Sequence, residues 1–534
     1  DKKVNKKVNV LKGIDKLDDA NLAGSNRSNE CTLILTEGDS AKALAVAGVS
    51  TIGRDLFGIY PLRGKLRNTR DVNVKDIKTP EIINLMKILG LSFSTKKQNI
   101  NEVFSKMRYG RIMIFTDQDV DGSHIKGLVM NFFHTFWPEL LTKKGFIISL
   151  MTPIIKAINK SEKIDFYTIT EYEDWLSTKQ GKYQIKYYKG LGTSTSHDAK
   201  EYFRNFEEKK VEYYAEPIND EFKDIDLNDK SFNLAFNKEY SDSRKNWLKA
   251  YDRNSIILQT QKQVSYFEFI NKDLIHFSNY DTERSIPNIM DGLKTSQRKI
   301  LFSVIKKNQK SPIKVSQLAG YVSEHSAYHH GETSLTECII GMAQNFVGSN
   351  NIELLCPDGS FGTRIQGGKD AASPRYIWTY LTPLAQSIFI QDDFDILDYR
   401  YDDGQKIEPY YYVPIIPMLL VNGCEGIGTG FSTKIPPFNP LDLVENIELK
   451  LNGQNPKQLI PWFRGFKGDV VDYDYDKFQN VGKYRKTSDS QIIIEELPIG
   501  KWTDDYKSYL EKLIYDKTAD KFVKDQCIHS FKNL

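Results

Sequence analysis

Cysteine is scarce in this 534-residue chain. The five present, Cys31, Cys338, Cys356, Cys424 and Cys527, are scattered, and no two make a CxxC. An odd, dispersed set argues against a disulfide framework and a structural zinc site, and fits reduced cysteines. Long apolar runs are also lacking. The best, Val413 to Val421, is short and broken by Pro414 and Pro417, whereas a membrane helix needs about 20 apolar residues. No signal peptide is recognisable. Charge of one sign is not in excess: 73 Lys and Arg against 70 Asp and Glu leave +3, so only local charge distribution can select a partner. The glycine-rich stretches Gly426 to Ser432 and Gly190 to Ser194 lack the GK[ST] ending of a P-loop, and Phe431 stands where a third GxGxxG glycine would fall. Both read as tight turns, and nothing resembles an ATP site. Ala327-Tyr-His-His-Gly-Glu332 is not HExxH, and no cysteine is spaced to complete a zinc site with it.

The length predicts three or four domains. The Lys/Asn-rich opening reads as a linker, residues 1–30, at the start of a piece of a longer protein. Residues 31–150 read as α/β. Thr32 to Thr36 is a strand, Glu37 to Asp39 a turn, and Ser40 a cap for a helix over Ala41 to Ala47. The pattern recurs. Arg111 to Thr116 is a strand, and Ser123 caps a helix that turns Ile125, Leu128, Val129, Phe132, Phe133 and Phe136 to one face. Strand, acidic loop and helix, twice over, predict a parallel sheet whose acidic loops share its carboxyl edge, where sites in such sheets form. Residues 151–275 are mixed, with a helix near Ser241 to Lys249.

Residues 276–394 change character. Leu293 to Lys307 predicts a helix with Ile300, Leu301, Val304 and Ile305 inward and Lys294, Arg298, Lys299, Lys306 and Lys307 polar. Thr333 to Phe346 predicts another, with Leu335, Ile339, Met342 and Phe346 on one face. The glycine-rich Asp358 to Lys369 suits a hairpin, so the region reads as a winged helix-turn-helix. Residues 395–534 alternate Tyr/Asp-rich and Pro-rich pieces with β-like runs such as Gln491 to Leu497.

The most unusual stretch is Thr116-Asp-Gln-Asp-Val-Asp-Gly-Ser-His124. It opens like an EF-hand calcium loop, but Leu128 stands where the required Glu would be, and it follows a strand. In an extended segment Asp117, Asp119 and Asp121 project to one side, and Glu37, ending another strand, supplies a fourth carboxylate. Hard oxygens in that number suit Mg²⁺, which can activate an attacking oxygen and shield a leaving one in phosphoryl transfer. A solvated acidic turn acting on the helix dipole is the plainer alternative. In Ser373-Pro-Arg-Tyr-Ile-Trp-Thr379, Tyr376 stands beside Arg375, just after the basic glycine-rich stretch. A tyrosine attacking a phosphodiester needs nearby cations. Among 29 tyrosines, residue chemistry alone does not select it. His329 and His330 read as helix-cap or core histidines unless that basic context makes them phosphate ligands.

Eight blocks taken together resemble type IIA DNA topoisomerases, and do so in the family's order. They are EGDSAKALAVAG, YPLRGKLRN, TDQDVDGSHIKGL, YYKGLGTS, RSIPNIMDGLKTSQRKIL, AYHHGE, FGTRIQGGKDAASPRYIWT and NGCEGIGTGFST, from Glu37 to about Pro440. DQD, HIKGL and the presence of all blocks in one chain are similar to the eukaryotic form. The resemblance implies a multidomain α/β and α+β fold: a Toprim domain with a Rossmann-like parallel sheet over residues 31–150, its extension over 151–275, a winged-helix domain over 276–394 and a mixed α/β tower over 395–534. It implies Mg²⁺ on Glu37, Asp117 and Asp119, with Asp121 less directly involved, and Mn²⁺ or Ca²⁺ able to substitute in DNA binding. It implies Tyr376 as nucleophile, supported by Arg375, His330 and Arg284. Contacts to double-stranded DNA are implied for Lys65, Asn68, Arg244, Lys294 and Tyr328, with Ile427 as a wedge between base pairs. The tyrosine of one protomer would work with the Toprim domain of its partner in a homodimer, in the nucleus and with no membrane. ATP would act only through an ATPase domain preceding residue 1, and the coiled coil and C-terminal dimer gate are not recognisable before Leu534. Lys42 departs from the smaller residue of many relatives. A Toprim nuclease or primase would not need Tyr376, and a DNA-bending scaffold would not need the acidic loop.

Overall fold

The computed structural model describes residues 11, 13–93, 100–167, 169–179, 181–188, 190–217, 226–258, 261–308, 311–402, 404–474, 477–514 and 528–532. Cys527 and residues 1–10 of the expected linker lie outside them. The chain forms two compact units, Asp1–Asp281 and Thr282–Leu534.

In the first unit, β1 (Thr32–Glu37) runs into α1 (Gly38–Ile52) and then β2 (Phe57–Leu62). After α2 (Pro80–Leu89) and α3 (Ile100–Lys106), β3 (Arg111–Phe115) leads to α4 (Val120–Phe136), and β4 (Ile147–Leu150) follows. These four strands are parallel, in the order β2-β1-β3-β4; Lys210–Tyr214 adds antiparallel to β4, and Gln263–Ser265 closes the six-stranded sheet. Both faces are buried, which is why β1 and β3 read as unbroken apolar runs. Leu33, Leu35, Ile112 and Ile114 point into a core with Ile125, Val129, Phe132, Phe133 and Phe136 of α4. The alternate residues Ile34, Met113 and Phe115 meet Ala41, Leu44 and Val49 of α1 on the other side. The parallel sheet and the inward face of α4 are as the sequence predicts.

The helix starts differ. Gly38 takes φ +75°, a left-handed conformation open to glycine, so α1 begins directly after β1 without a Ser40 cap. The cap of α4 is Asp119, whose Oδ1 accepts the Gly122 amide at 2.7 Å. Ser123 lies inside the helix and donates to Asp273 at 2.6 Å. Part of the expected linker is structural: Asp18 exchanges backbone hydrogen bonds with Ile59 (2.9 and 2.7 Å), and Ala20 and Ala23 enter the core. Lys42 ties α1 to this segment through Asp18 at 2.9 Å and the Lys16 carbonyl at 2.6 Å, which accounts for a long cation at that position. Further along, Ile155–Ile158 pairs between Lys163–Phe166 and Gln184–Tyr187 in a small antiparallel sheet.

In the second unit, Thr295–Lys307, Val315–His325 and Glu332–Ala343 pack around Ile300, Leu301, Leu318, Leu335 and Ile339. Arg298 and Lys299, expected on a polar face, are buried or nearly so. Arg298 pairs with Asp291 and Lys299 with Glu408. The glycine-rich stretch 358–369 is a series of turns and not a hairpin: Gly359, Gly362, Gly367 and Gly368 all have positive φ, which breaks strand pairing. The strands present are short, Ile313–Lys314 against Trp378–Thr379. The core also continues past residue 394, taking in Tyr412, Met418, Val421 and Phe438. Gln491–Glu496 is the expected strand, paired with Lys483–Ser488. No helix among the described residues is long and apolar enough to cross a membrane.

Candidate active site

The carboxyl edge of the parallel sheet collects the acidic residues. Glu37 ends β1, and Asp117 follows β3 on the adjacent strand. The three aspartates do not share one extended segment as expected. Asp117 lies in the loop, Asp119 caps α4 and Asp121 is in its first turn, because capping bends the chain into helix at Val120. Burial, then the charges of Asp117, Asp119 and Asp121, push the Glu37 carboxyl up to about 7, against a smaller opposing effect of Lys65. Burial also raises Asp117, opposed by the Leu191 amide, which donates to its Oδ1 at 2.5 Å. Asp121 is paired with Lys65 at 2.5 Å.

A divalent cation fits this set. Glu37 Oε2 is buried without a hydrogen-bond partner, and mutual repulsion disfavours the charged forms. The carboxylates are not drawn to ligand spacing. Among the described residues, the one group of three whose ligand atoms lie within 4.8 Å of one another is His197, Asp198 and Glu201. Protein cations already serve that group: Lys186 reaches Asp198 at 3.0 Å and Lys156 reaches Glu201 at 3.4 Å. The Glu37 cluster, with its orphaned oxygen, is the better metal candidate.

The expected DNA-contact residues of this unit fare unequally. Lys65 is engaged by Asp121 and lies 4.6 Å from the Phe277 ring centroid. Asn68 is exposed, but its amide is oriented by the Phe236 carbonyl at 2.8 Å and by Asn131 at 2.9 Å. Arg244 departs from expectation. It is buried, and its guanidinium donates to the carbonyls of Leu234 (2.8 Å) and Asn237 (2.7 Å). Those carbonyls end a helix and need donors, so Arg244 is a brace.

In the second unit Tyr376 is 63% exposed, with the Arg375 guanidinium carbon 5.2 Å from its ring centroid. The backbone on either side is fixed. Ser316 donates to the Pro374 carbonyl at 3.1 Å and Val315 to that of Ile377 at 3.0 Å, so the start of the helix Val315–His325 holds the tyrosine loop. No motif in the sequence marks that helix as part of the site. His330 is exposed and stands edge to face with Tyr328 at 5.4 Å. Arg284, half-buried, ends the helix Ile275–Ser285, and Lys294, also half-buried, precedes Thr295–Lys307. Ile427 ends the first strand of the hairpin Cys424–Ile427/Ser432–Ile435 and is 75% exposed.

Comparison with known proteins gives the same division. Residues 32–153 match the Toprim domain, a metal-binding domain in type II topoisomerases. Residues 150–282 match the C-terminal associated domain of Toprim, and 284–531 match the A-type domain of DNA gyrase/topoisomerase IV. The chain is 51% identical over 508 residues to probable DNA topoisomerase 2 of Dictyostelium discoideum, covering 94% of this chain and 32% of that protein. It is 48% identical over 517 residues to DNA topoisomerase 2 of Drosophila melanogaster, covering 94% and 35%. It thus spans about a third of the length of these relatives. The solved DNA-binding, cleavage and re-ligation domain of Plasmodium falciparum topoisomerase II is 48% identical, with a TM-score of 0.74 over 95% of this chain and 68% of that one. At that identity and coverage, the chain belongs to the type II DNA topoisomerase family.

Proposed function

We propose that these residues perform Mg²⁺-dependent cleavage and rejoining of double-stranded DNA through a 5′-phosphotyrosyl bond. The observation that carries this is the exposed Tyr376 with the Arg375 guanidinium against its ring, on a loop pinned at both ends. Tyr376 Oη attacks a DNA phosphorus and displaces a 3′-hydroxyl. The phosphodiester energy is conserved in the new bond, so rejoining needs no nucleotide. Arg375, with His330 and Arg284, stabilises charge on the pentavalent phosphate. Glu37, Asp117 and Asp119 would hold Mg²⁺, for which Mn²⁺ or Ca²⁺ can stand in during DNA binding, while Asp121 positions Lys65. The bound metal supplies positive charge to the reacting phosphate oxygens. Lys65, Asn68, Lys294 and Tyr328 contact the duplex, and Ile427 wedges between base pairs, offsetting unstacking with the contacts of bent DNA. The reading includes a homodimer that cuts both strands for a second duplex to pass, ATP coupling in a part of the protein outside these residues, and a nuclear location.

The test is to incubate the protein with Mg²⁺ and supercoiled plasmid, then quench with detergent. Protein attached to 5′ DNA ends is expected. Tyr376→Phe should abolish the adduct and leave DNA binding nearly intact; adduct at the normal level in that variant rejects the assignment.

A further inference from the structure

Asp117 is held from outside its own loop. Its Oδ1 accepts the Leu191 amide at 2.5 Å. Its other oxygen, Oδ2, lies against the preceding residue, Gly190, where an added Cβ would collide with Oδ2 and sit 2.9 Å from the carboxyl carbon. Glycine therefore leaves free the one oxygen of Asp117 that the amide does not take. The loop carrying this contact is well anchored. Leu191 is buried in the core beside α1, Thr193 Oγ1 donates to the Gly190 carbonyl at 2.8 Å, and Ser194 donates its amide to the Leu191 carbonyl at 3.0 Å. Thr195 then starts the helix Ser196–Arg204 with a capping box to Asp198. The position also needs glycine for its φ of +90°.

We propose that Gly190 and the Leu191 amide are a positioning device for the metal carboxylate: the amide fixes one oxygen of Asp117, and the missing side chain at 190 keeps the other open to a divalent cation. This rests on the metal role given above to Asp117. Outer partners that orient a ligand affect metal affinity by about 10- to 100-fold when removed, so the device is a determinant of the metal requirement and not only of the fold.

The experiment measures Mn²⁺ binding to the whole chain by electron paramagnetic resonance, without DNA. Gly190→Ala should weaken the tightest site at least about tenfold. Two controls separate causes. Gly192→Ala, in the same loop, meets nothing within 4 Å, and Gly53→Ala, at the same φ of +90°, also meets nothing. The first should change neither stability nor Mn²⁺ affinity; the second should cost stability from backbone strain and leave Mn²⁺ affinity unchanged. Gly190→Ala that folds and binds Mn²⁺ as before overturns the inference, provided Asp117→Ala loses binding. If Asp117→Ala also binds normally, the metal assignment itself fails. Should Gly190→Ala not fold, the unmodified chain labelled with ¹⁵N-leucine decides: Mn²⁺ must broaden the Leu191 amide signal at the lowest metal ratios, and a Leu191 signal that persists overturns the inference.

Discussion

Arg298 Nε lies 2.7 Å from Asp291 Oδ2, and both side chains are sealed from solvent, at 4% and 0% exposure. The second oxygen of Asp291 takes Arg298 Nη2 at 3.0 Å, and the backbone amides of Leu293 (2.9 Å) and Tyr412 (3.0 Å) complete its shell. The pair thus joins the start of the helix Thr295–Lys307 to a chain segment more than a hundred residues later. Removing one partner strands the other charge in the core, at a cost of about 3–5 kcal/mol. Asp291→Ala should lower the urea midpoint of the second unit accordingly. Asp291→Leu combined with Arg298→Met, which leaves no orphan charge, should cost clearly less. A double variant as unstable as the single one would show that shape, and not charge pairing, is what matters there.

Ile427 is a contrasting case. It is apolar, 75% exposed and at the end of a hairpin strand, and the hairpin is seated by Gly426 against Ser285 and Pro287 and by Thr282 bonding to the Thr429 carbonyl at 3.0 Å. An exposed side chain adds little to folding, so Ile427→Ala should change stability by less than about 0.5 kcal/mol. Its effect is expected on DNA alone. In a fluorescence-distance assay on a labelled duplex, the bend should be lost while weak binding to the backbone persists. An unchanged bend would remove the wedge from the mechanism.

What could be read from the sequence follows physical range. β1, β3 and the inward face of α4 were legible because burial imposes a pattern on each residue locally. Glu37, Asp117 and Tyr376 were legible as chemistry only in part, and the resemblance supplied the rest. Three features were not legible. Asp119 as helix cap competed with Ser123, and both residue types cap well. Arg298 looked polar because its partner, Asp291, sits seven residues earlier, off any helical spacing. The Leu191 amide has no side-chain signature at all; the glycine before it was the only available sign. Arg244 failed differently, since a cation near a DNA-binding surface and a cation capping carbonyls look alike until burial is known.

His134 offers a test by pH. Burial, then the charge of Arg70, pushes its imidazole down to about 4. Arg70 Nη1 sits 2.8 Å from His134 Nδ1, Arg70 also pairs with Asp229 at 2.6 Å, and the imidazole stacks on Phe232 at 4.2 Å. In the unfolded chain histidine titrates near 6.5. Above that value both states are neutral and the packing is fully retained. Between about 6.5 and 4 the unfolded state takes a proton that the folded state refuses, so stability falls with pH, by up to about 3 kcal/mol at the acid end. The site lies beside Asn68, which accepts the Arg70 amide at 3.0 Å and the Asn131 amide at 2.9 Å, so loosening it should also weaken DNA binding through that residue. Urea unfolding of the first unit at pH 7 and at pH 4.5, in the wild type and in His134→Gln, isolates the effect from other acid-sensitive groups. The wild type should lose more stability on acidification than the variant. Equal losses would mean that His134 already carries its proton in the folded protein.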